Sequence, residues 1–207
     1  MENLVHEIAS RQAMLGKKVL VITSDLTRDG KVVTVNLKRN YEILRVKSFL
    51  FKGIYLPKEF FSKLPKCALL HCHGMDPLVD FLTFKIKFDE LIISPHGGFF
   101  HTPTMLTLKK LYFNTISRFM TSMNPKYMCI SQNDIDLVSK LSDNVHFMGC
   151  GSSDAKFSLA SSGVVTFGRI SPNKCINDAI DVFRNNFPQE NFVIAGPNPE
   201  SIKIDVV

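Results

Sequence analysis

Two hydrophobic periods alternate along this chain, and their order outlines its architecture. Over residues 2–15, Leu4, Ile8 and Leu15, with Val5 and Ala9 beside them, fall on one helical face, and Gly16 stands where a C-terminal cap belongs. Lys18–Thr23 is a short apolar run of strand type. Lys31–Leu37 and Tyr41–Lys47 read as further strands, the first preceded by the turn signal Asp29-Gly30. Pro57–Leu64 reads as a short helix, Cys67–Cys72 as a buried strand, Leu78–Phe84 as a helix and Glu90–Ser94 as another buried strand. Thr104–Met120 is a long helix and Tyr127–Ile130 a strand. Asn133–Leu141 is a helix opened by Ser131, and Val145–Met148 is a strand.

Continuous apolar strands separated by helices imply a parallel sheet covered on both faces, and hence an α/β fold. Gly149–Gly163 is rich in Gly, Ser and Ala and reads as a linker. After it the pattern restarts with a strand at 164–167, a helix at about 175–187 and a strand at 191–195. No internal repeat or low-complexity segment interrupts this order. A length of 207 residues suits one large domain or two small ones.

Composition narrows the class. The apolar fraction of 45% is that of an ordinary globular protein, and no apolar run approaches the ~18 residues that span a bilayer. Met1-Glu2-Asn3-Leu4 lacks the basic and apolar segments of a secretory signal. The five cysteines (Cys67, Cys72, Cys129, Cys150 and Cys175) are odd in number and form no CxxC pair, which fits reduced thiols in a cytoplasm. The net charge of +6 favours anionic partners, or is a solvated basic surface. Without a long Lys/Arg run, an RNP-like motif or a Cys/His module, nucleic acid is not an expected partner.

Four segments carry candidate chemistry. In Val164–Lys174 a buried strand ends at Gly168, and a loop with Arg169 and Lys174 leads to a helix. Gly168 permits close approach of backbone to a ligand, Arg169 can grip phosphate oxygens in bidentate fashion, and Lys174 adds a mobile charge. The spacing alone also fits a plain surface turn, since roughly three such cation pairs arise by chance in this chain. In Ser94–His101 the strand 90–94 runs into His96, Gly97 and Gly98, at the carboxyl end of a strand, where open α/β sheets gather ligands. His71 and His73 face one side of the strand 67–72 and its extension. With His96 and His101 they make a metal-dependent hydrolase one alternative, though no Asp or Glu in these loops is spaced as a fellow ligand, and the expected metal set is none. In Leu108–Lys126, Lys109, Lys110, Arg118 and Lys126 interleave with Tyr112, Phe113 and Phe119. That segment fits contact with a membrane surface, or a helix with core aromatics and a wet cationic face.

In their order and spacing these segments resemble family-4 glycosyltransferases over nearly the whole chain. Val164–Phe183 is similar to the opening of that family's C-terminal half, where a strand ends in Gly-Arg and a Lys follows at the same distance. Phe192–Glu200, with Ile194-Ala195-Gly196-Pro197, resembles the second strand and Gly turn of that half. Cys129-Ile130-Ser131, Val145–Gly151 and Phe157 resemble the segment that closes the N-terminal half, and Glu2–Thr23 resembles its first helix and second strand. His96 in Pro95-His96-Gly97 matches the family's N-domain histidine, and His73-Gly74 a strand-end pattern before it. Pro95–Arg118 looks closest to bacterial mannosyltransferases of exopolysaccharide assembly.

The resemblance implies two facing Rossmann-like halves and retaining transfer of a hexose from a nucleoside-diphosphate sugar, with no required cofactor. It implies Gly168, Arg169 and Lys174 at the donor diphosphate, and His96 as the catalytic-side residue lining the reacting sugar. His73, Gly97, Gly98 and Gly151 would shape the cleft or acceptor side. The implied acceptor is a saccharide or a polyprenyl-linked saccharide. The implied location is cytoplasmic, with peripheral contact at the inner face of the cell membrane. The expected domains are 1–158, Rossmann-like without its first strand, and 159–207, the first βαβ of a second such domain. In the family a strand and a Gly-rich loop precede the first helix, and a pair of glutamates follows later in the second half. By that pattern the chain reads as truncated at both ends. The expected outcome is weak activity alone, with a non-catalytic binding fragment, or one part of a split enzyme completed by a complementary chain, as the alternatives.

Overall fold

Hydrogen-bonding demand turns the apolar runs into strands and the amphipathic ones into helices. The computed structural model describes residues 2–27, 29–34, 38–51, 54–58, 64–97, 100, 105–149, 164–168, 170, 174–196 and 198. The chain divides into two units, Met1–Gly151 and Ser152–Val207.

The first unit opens with α1 (Glu2–Met14) and ends that helix at Gly16, whose φ is +77°. Ala9 is buried and Leu4, Val5 and Ile8 are half-buried. Leu15, expected on the same face, is instead 78% exposed, because the helix ends one residue before it and the chain turns away. Strand β1 (Leu20–Ser24) pairs in parallel with β2 (Glu42–Val46), Leu20 opposite Glu42 and Ser24 opposite Val46. The strand expected at Lys31–Leu37 is reduced to one antiparallel bridge, Leu26 with Val32. The Asp29-Gly30 turn folds the chain back on Leu26, with Thr27 N–H donating to the Lys31 carbonyl, and residues 35–37 lie outside the described set.

A hairpin that the hydrophobic pattern did not predict follows, β3 (Ser48–Phe51) against β4 (Ile54–Pro57). Pro57, expected to open a helix, ends β4, and residues 59–63 of that expected helix lie outside the described set. Strand β5 (Cys67–His73) then leads to α2 (Pro77–Lys85). Asp76 caps α2 by accepting from Leu78 N–H and Val79 N–H, and Pro77 takes the first-turn position where no N–H is needed. Strand β6 (Phe88–Ser94) precedes the long helical segment.

That segment is less uniform than its periodicity predicts. It runs as α3 (Leu106–Tyr112), a π-helical turn at Phe113–Ser117, α4 (Arg118–Met120) and a 3-10 turn at Thr121–Met123. The wider turn keeps Phe113, Ser117 and Met120 all facing inward. Strand β7 (Lys126–Cys129), α5 (Gln132–Val138) and β8 (Val145–Phe147) complete the unit.

Strands β5, β6, β7 and β8 form one parallel sheet in chain order. His73 stands opposite Ser94, Ile93 opposite Tyr127, and Cys129 opposite Phe147. Cys72, Leu91, Ile93, Tyr127, Cys129 and Val138 form its core with Phe113 and Met120. Burying each such large apolar side chain contributes about 1.5–3 kcal/mol. A smaller core joins Val46 of β2 to Leu78 and Leu82 of α2. The α/β class and the Rossmann-like parallel sheet are as the sequence predicts.

The second unit is a βαβ motif: β9 (Val164–Phe167), α6 (Ile176–Asn186) and β10 (Phe192–Ala195), with the two strands parallel. Ile170, Ile180 and Phe183 are buried, and Phe183 stacks on Phe192 at 4.6 Å between ring centroids.

Candidate functional site

The carboxyl ends of β5 and β6 bring three histidines together. His71 and His73 project to one side of β5, and their ring centroids stand 4.0 Å apart. Beyond His73 the chain turns at Gly74, whose N–H donates to the Ser94 carbonyl at 2.8 Å. Ser94 at the end of β6 and Pro95 after it are buried, and His96 follows in a left-handed conformation at φ +52°. That turn carries the His96 ring back over His73. The rings stack at 5.3 Å, with His73 Nδ1 and His96 Nε2 hydrogen-bonded at 3.1 Å. His71 Nε2 shares a hydrogen bond with Ser94 Oγ at 2.9 Å.

The electrostatics keep these rings neutral. Burial pushes the His71 pKa down from 6.5 to about 4, with His96 adding to the effect. Burial, reinforced by His71 and His96, pushes His73 down to about 3. Burial also lowers His96, against an upward pull from Asp134. In the neutral His73–His96 pair one ring donates and the other accepts, so each tautomer fixes the other. A neutral imidazole held this way offers a directed hydrogen bond to a ligand without carrying a charge.

Gly97 follows at φ +85°, a conformation that a side chain would strain, although a Cβ there would meet no atom within 4 Å. Its N–H donates to Asp134 Oδ1 at 2.6 Å. Asp134 sits in the first turn of α5, where its own N–H donates to Ser131 Oγ at 3.2 Å. Sequence reasoning placed Ser131 at the helix start and missed Asp134. The capping-box spacing Ser131-x-x-Asp134 was the signal that marks it. Ser94 was likewise missed as a partner of His71.

Of the other predicted residues at this end, Gly98 and His101 lie outside the described residues, as does Gly151. Among the described residues no group of three or more His, Cys, Asp or Glu side chains is arranged to hold a metal ion. An open depression lined by Lys66, Phe84, Lys87 and Met123 among others lies at the amino ends of β5 and β6, away from the histidines.

In the second unit, β9 ends at Gly168 and β10 at Gly196, and the two glycine turns touch. Gly168 N–H donates to the Ala195 carbonyl at 2.9 Å, and a Cβ on Gly196 would stand 1.8 Å from the Gly168 carbonyl oxygen. Lys174 is exposed in the turn that leads into α6. Arg169, expected beside it, lies outside the described residues. The described residues run strand, glycine turn, exposed Lys174 and helix in that order, with residues 169 and 171–173 of the loop outside the described set, and β9, expected to be buried, is largely exposed, Phe167 at 86%.

The helical segment 105–123 presents a different surface. Phe113 is buried, and Tyr112 is half-buried and donates its hydroxyl to Asp80 Oδ2, so these aromatics serve the interior. Leu108, Leu111 and Phe119 are 51%, 60% and 60% exposed. Among the described residues no helix is long and apolar enough to cross a membrane.

Comparison with known proteins gives a consistent direction. No family model matches the chain, and no solved structure matches it. It is 25% identical over 214 residues to a GDP-mannose:cellobiosyl-diphosphopolyprenol alpha-mannosyltransferase of Xanthomonas oryzae pv. oryzae (strain PXO99A), covering 95% of this chain and 56% of that protein. Proteins of the same description from Komagataeibacter xylinus and Xanthomonas campestris are 31% and 27% identical, each over 140 residues. Those alignments cover 66% and 62% of this chain, and 36% and 37% of the relatives. The chain thus spans about half the length of the first relative and little more than a third of the other two. The chain is thus similar in sequence to bacterial polyprenol-linked alpha-mannosyltransferases, and its parallel α/β sheet is consistent with a Rossmann-like glycosyltransferase fold.

Proposed function

We propose that this chain serves hexosyl transfer from a nucleoside-diphosphate sugar to a lipid-linked saccharide, with GDP-mannose as donor and a polyprenyl-diphosphate-linked saccharide as acceptor. The observation that carries the reading is the neutral His73–His96 pair at the carboxyl ends of β5 and β6. It is supported by similarity to a mannosyltransferase over 95% of the chain. Strand carboxyl ends are where open α/β sheets place their ligands.

In this reading His96 hydrogen-bonds the reacting sugar, and His73 fixes its tautomer. Arg169 and Lys174 hold the diphosphate, and Gly168 lets backbone approach it. As the bond from the sugar to the diphosphate breaks, negative charge grows on the leaving oxygen. Preorganised cations stabilise that charge by several kcal/mol in such sites. The acceptor hydroxyl forms the new bond to the sugar on the face that the diphosphate leaves, its proton passing to the departing diphosphate oxygen, so that anomeric configuration is retained, as the family resemblance implies.

The acceptor's lipid places the chain at a membrane surface. The segment 105–123 contains Lys109, Lys110 and Arg118 and no acidic residue, beside the exposed Leu108, Leu111 and Phe119. A cationic, apolar helical face of this kind suits an anionic lipid surface.

The test is transfer of label from GDP-mannose to a polyprenyl-diphosphate saccharide by the purified chain. The expected result is slow transfer that His96→Ala abolishes. Equal transfer by His96→Ala, or preference for a different nucleotide sugar, contradicts the proposal. Donor binding without any transfer identifies a binding module instead.

A further inference from the structure

We infer that Asp134 is a positioning residue of this site: its buried carboxylate fixes the His96–Gly97 turn by accepting the Gly97 N–H, and through that turn sets where the His96 imidazole stands. The inference rests on the role proposed for His96.

Asp134 is 0% exposed, and a buried carboxylate persists only where hydrogen bonds or opposite charge satisfy it. Here the partners are backbone N–H groups. Oδ1 accepts from Gly97 at 2.6 Å, and Oδ2 is 3.4 Å from Ile130 N. In an ordinary capping box the acid of the first helical turn reaches back to the N–H of the capping residue, here Ser131. Asp134 instead directs one oxygen to Ile130, the residue before the cap, and the other to a loop 37 residues away. A helix needing only a cap would not require that second bond.

The loop it reaches needs a restraint. His96 and Gly97 adopt φ of +52° and +85°, two successive left-handed residues, and a histidine stays there only when its surroundings over-determine it. Two restraints are visible. The His96 ring is bonded to His73, and the N–H that follows His96 is bonded to Asp134. Charge-assisted hydrogen bonds of this length are among the stronger ones in proteins. The same carboxylate favours the protonated form of His96, opposing burial, so it is electrically as well as sterically coupled to the ring. Removing the charge therefore releases the turn and moves the imidazole without touching the ligand.

The experiment is NMR of the whole chain with Asp134→Asn beside the wild type. In the wild type the Gly97 amide proton is expected downfield and slow to exchange with solvent. In Asp134→Asn it moves upfield and exchanges at least tenfold faster, and the His96 and His73 ring signals shift while those of Val138 and Cys129 stay in place. In the transfer assay kcat falls at least tenfold, with the donor KM within about twofold. A wild-type Gly97 amide that exchanges like an open loop overturns the inference, and that measurement needs no variant. So does an Asp134→Asn protein whose Gly97 and His96 signals are unmoved, or one whose signals move while kcat is unchanged. If the wild type transfers no sugar, the role proposed for His96 falls, and the NMR signals alone still decide whether Asp134 sets the turn.

Discussion

Replacing Asp80 by asparagine should stabilise this protein near neutral pH. Asp80 lies on the inner face of α2, 5% exposed, and accepts the Tyr112 hydroxyl. Burial raises its pKa from 3.8 to about 6; the Tyr112 hydrogen bond pulls the other way, and Asp76 adds to the rise. A carboxyl whose pKa is higher folded than unfolded contributes its stability below 3.8 and loses it as the pH climbs through about 6. At about 1.4 kcal/mol for each pH unit between the two values, holding Asp80 ionised at pH 7.5 costs about 3 kcal/mol. At pH 4.5 the same arithmetic leaves roughly 1 kcal/mol. Asparagine keeps the shape and an acceptor for Tyr112 while removing the charge. Asp80→Asn should therefore raise the unfolding free energy by about 3 kcal/mol at pH 7.5 and by roughly 1 kcal/mol at pH 4.5. Urea unfolding followed by far-ultraviolet circular dichroism measures this, since the chain has no tryptophan. A destabilised or unchanged Asp80→Asn at pH 7.5, or a benefit that grows on acidification, would refute the reasoning.

Three other outcomes follow from the same structure. His71 and His73, held at about 4 and 3, bind fewer protons folded than unfolded, so their stability is present above 6.5 and lost as the pH falls toward 4. Changing both to Gln should flatten the acid limb of the stability curve by roughly 1 kcal/mol per pH unit, allowing for their partial exposure; an unaltered slope contradicts it. Gly196→Ala drives a Cβ to 1.8 Å from the Gly168 carbonyl oxygen, so amide protection in β9 and β10 should be lost while β5–β8 keep theirs; retained protection in β10 contradicts it. Leu111→Asp with Phe119→Asp should reduce sedimentation with phosphatidylglycerol vesicles at least tenfold, whereas equal sedimentation of variant and wild type removes the proposed membrane face.

The parts of this fold legible in the sequence are those where one period persists for a full element. Cys67–Cys72 and Glu90–Ser94 are apolar enough to be read as strands, and the observed β5 and β6 extend them so that His73 stands opposite Ser94. The β3–β4 hairpin was hidden because Phe49, Leu50, Phe51, Ile54, Tyr55 and Leu56 do not alternate in polarity, and Lys52-Gly53 is a weaker turn signal than Asn-Gly. The π-helical turn was hidden because it preserves an inward face across the irregularity. At the site, the same-side placement of His71 and His73 follows from strand period alone. The stacking of His96 on His73 does not, because it depends on a left-handed histidine. Asp134 was missed because its partner in space is 37 residues away in sequence.

The measurement closest to the central claim is binding of GDP-mannose to the whole chain, by saturation-transfer NMR and calorimetry, compared with Lys174→Ala. The account predicts that GDP-mannose binds, that GDP competes, that mannose alone does not bind, and that Lys174→Ala weakens binding at least tenfold. No detectable binding, or binding indifferent to Lys174, would contradict it.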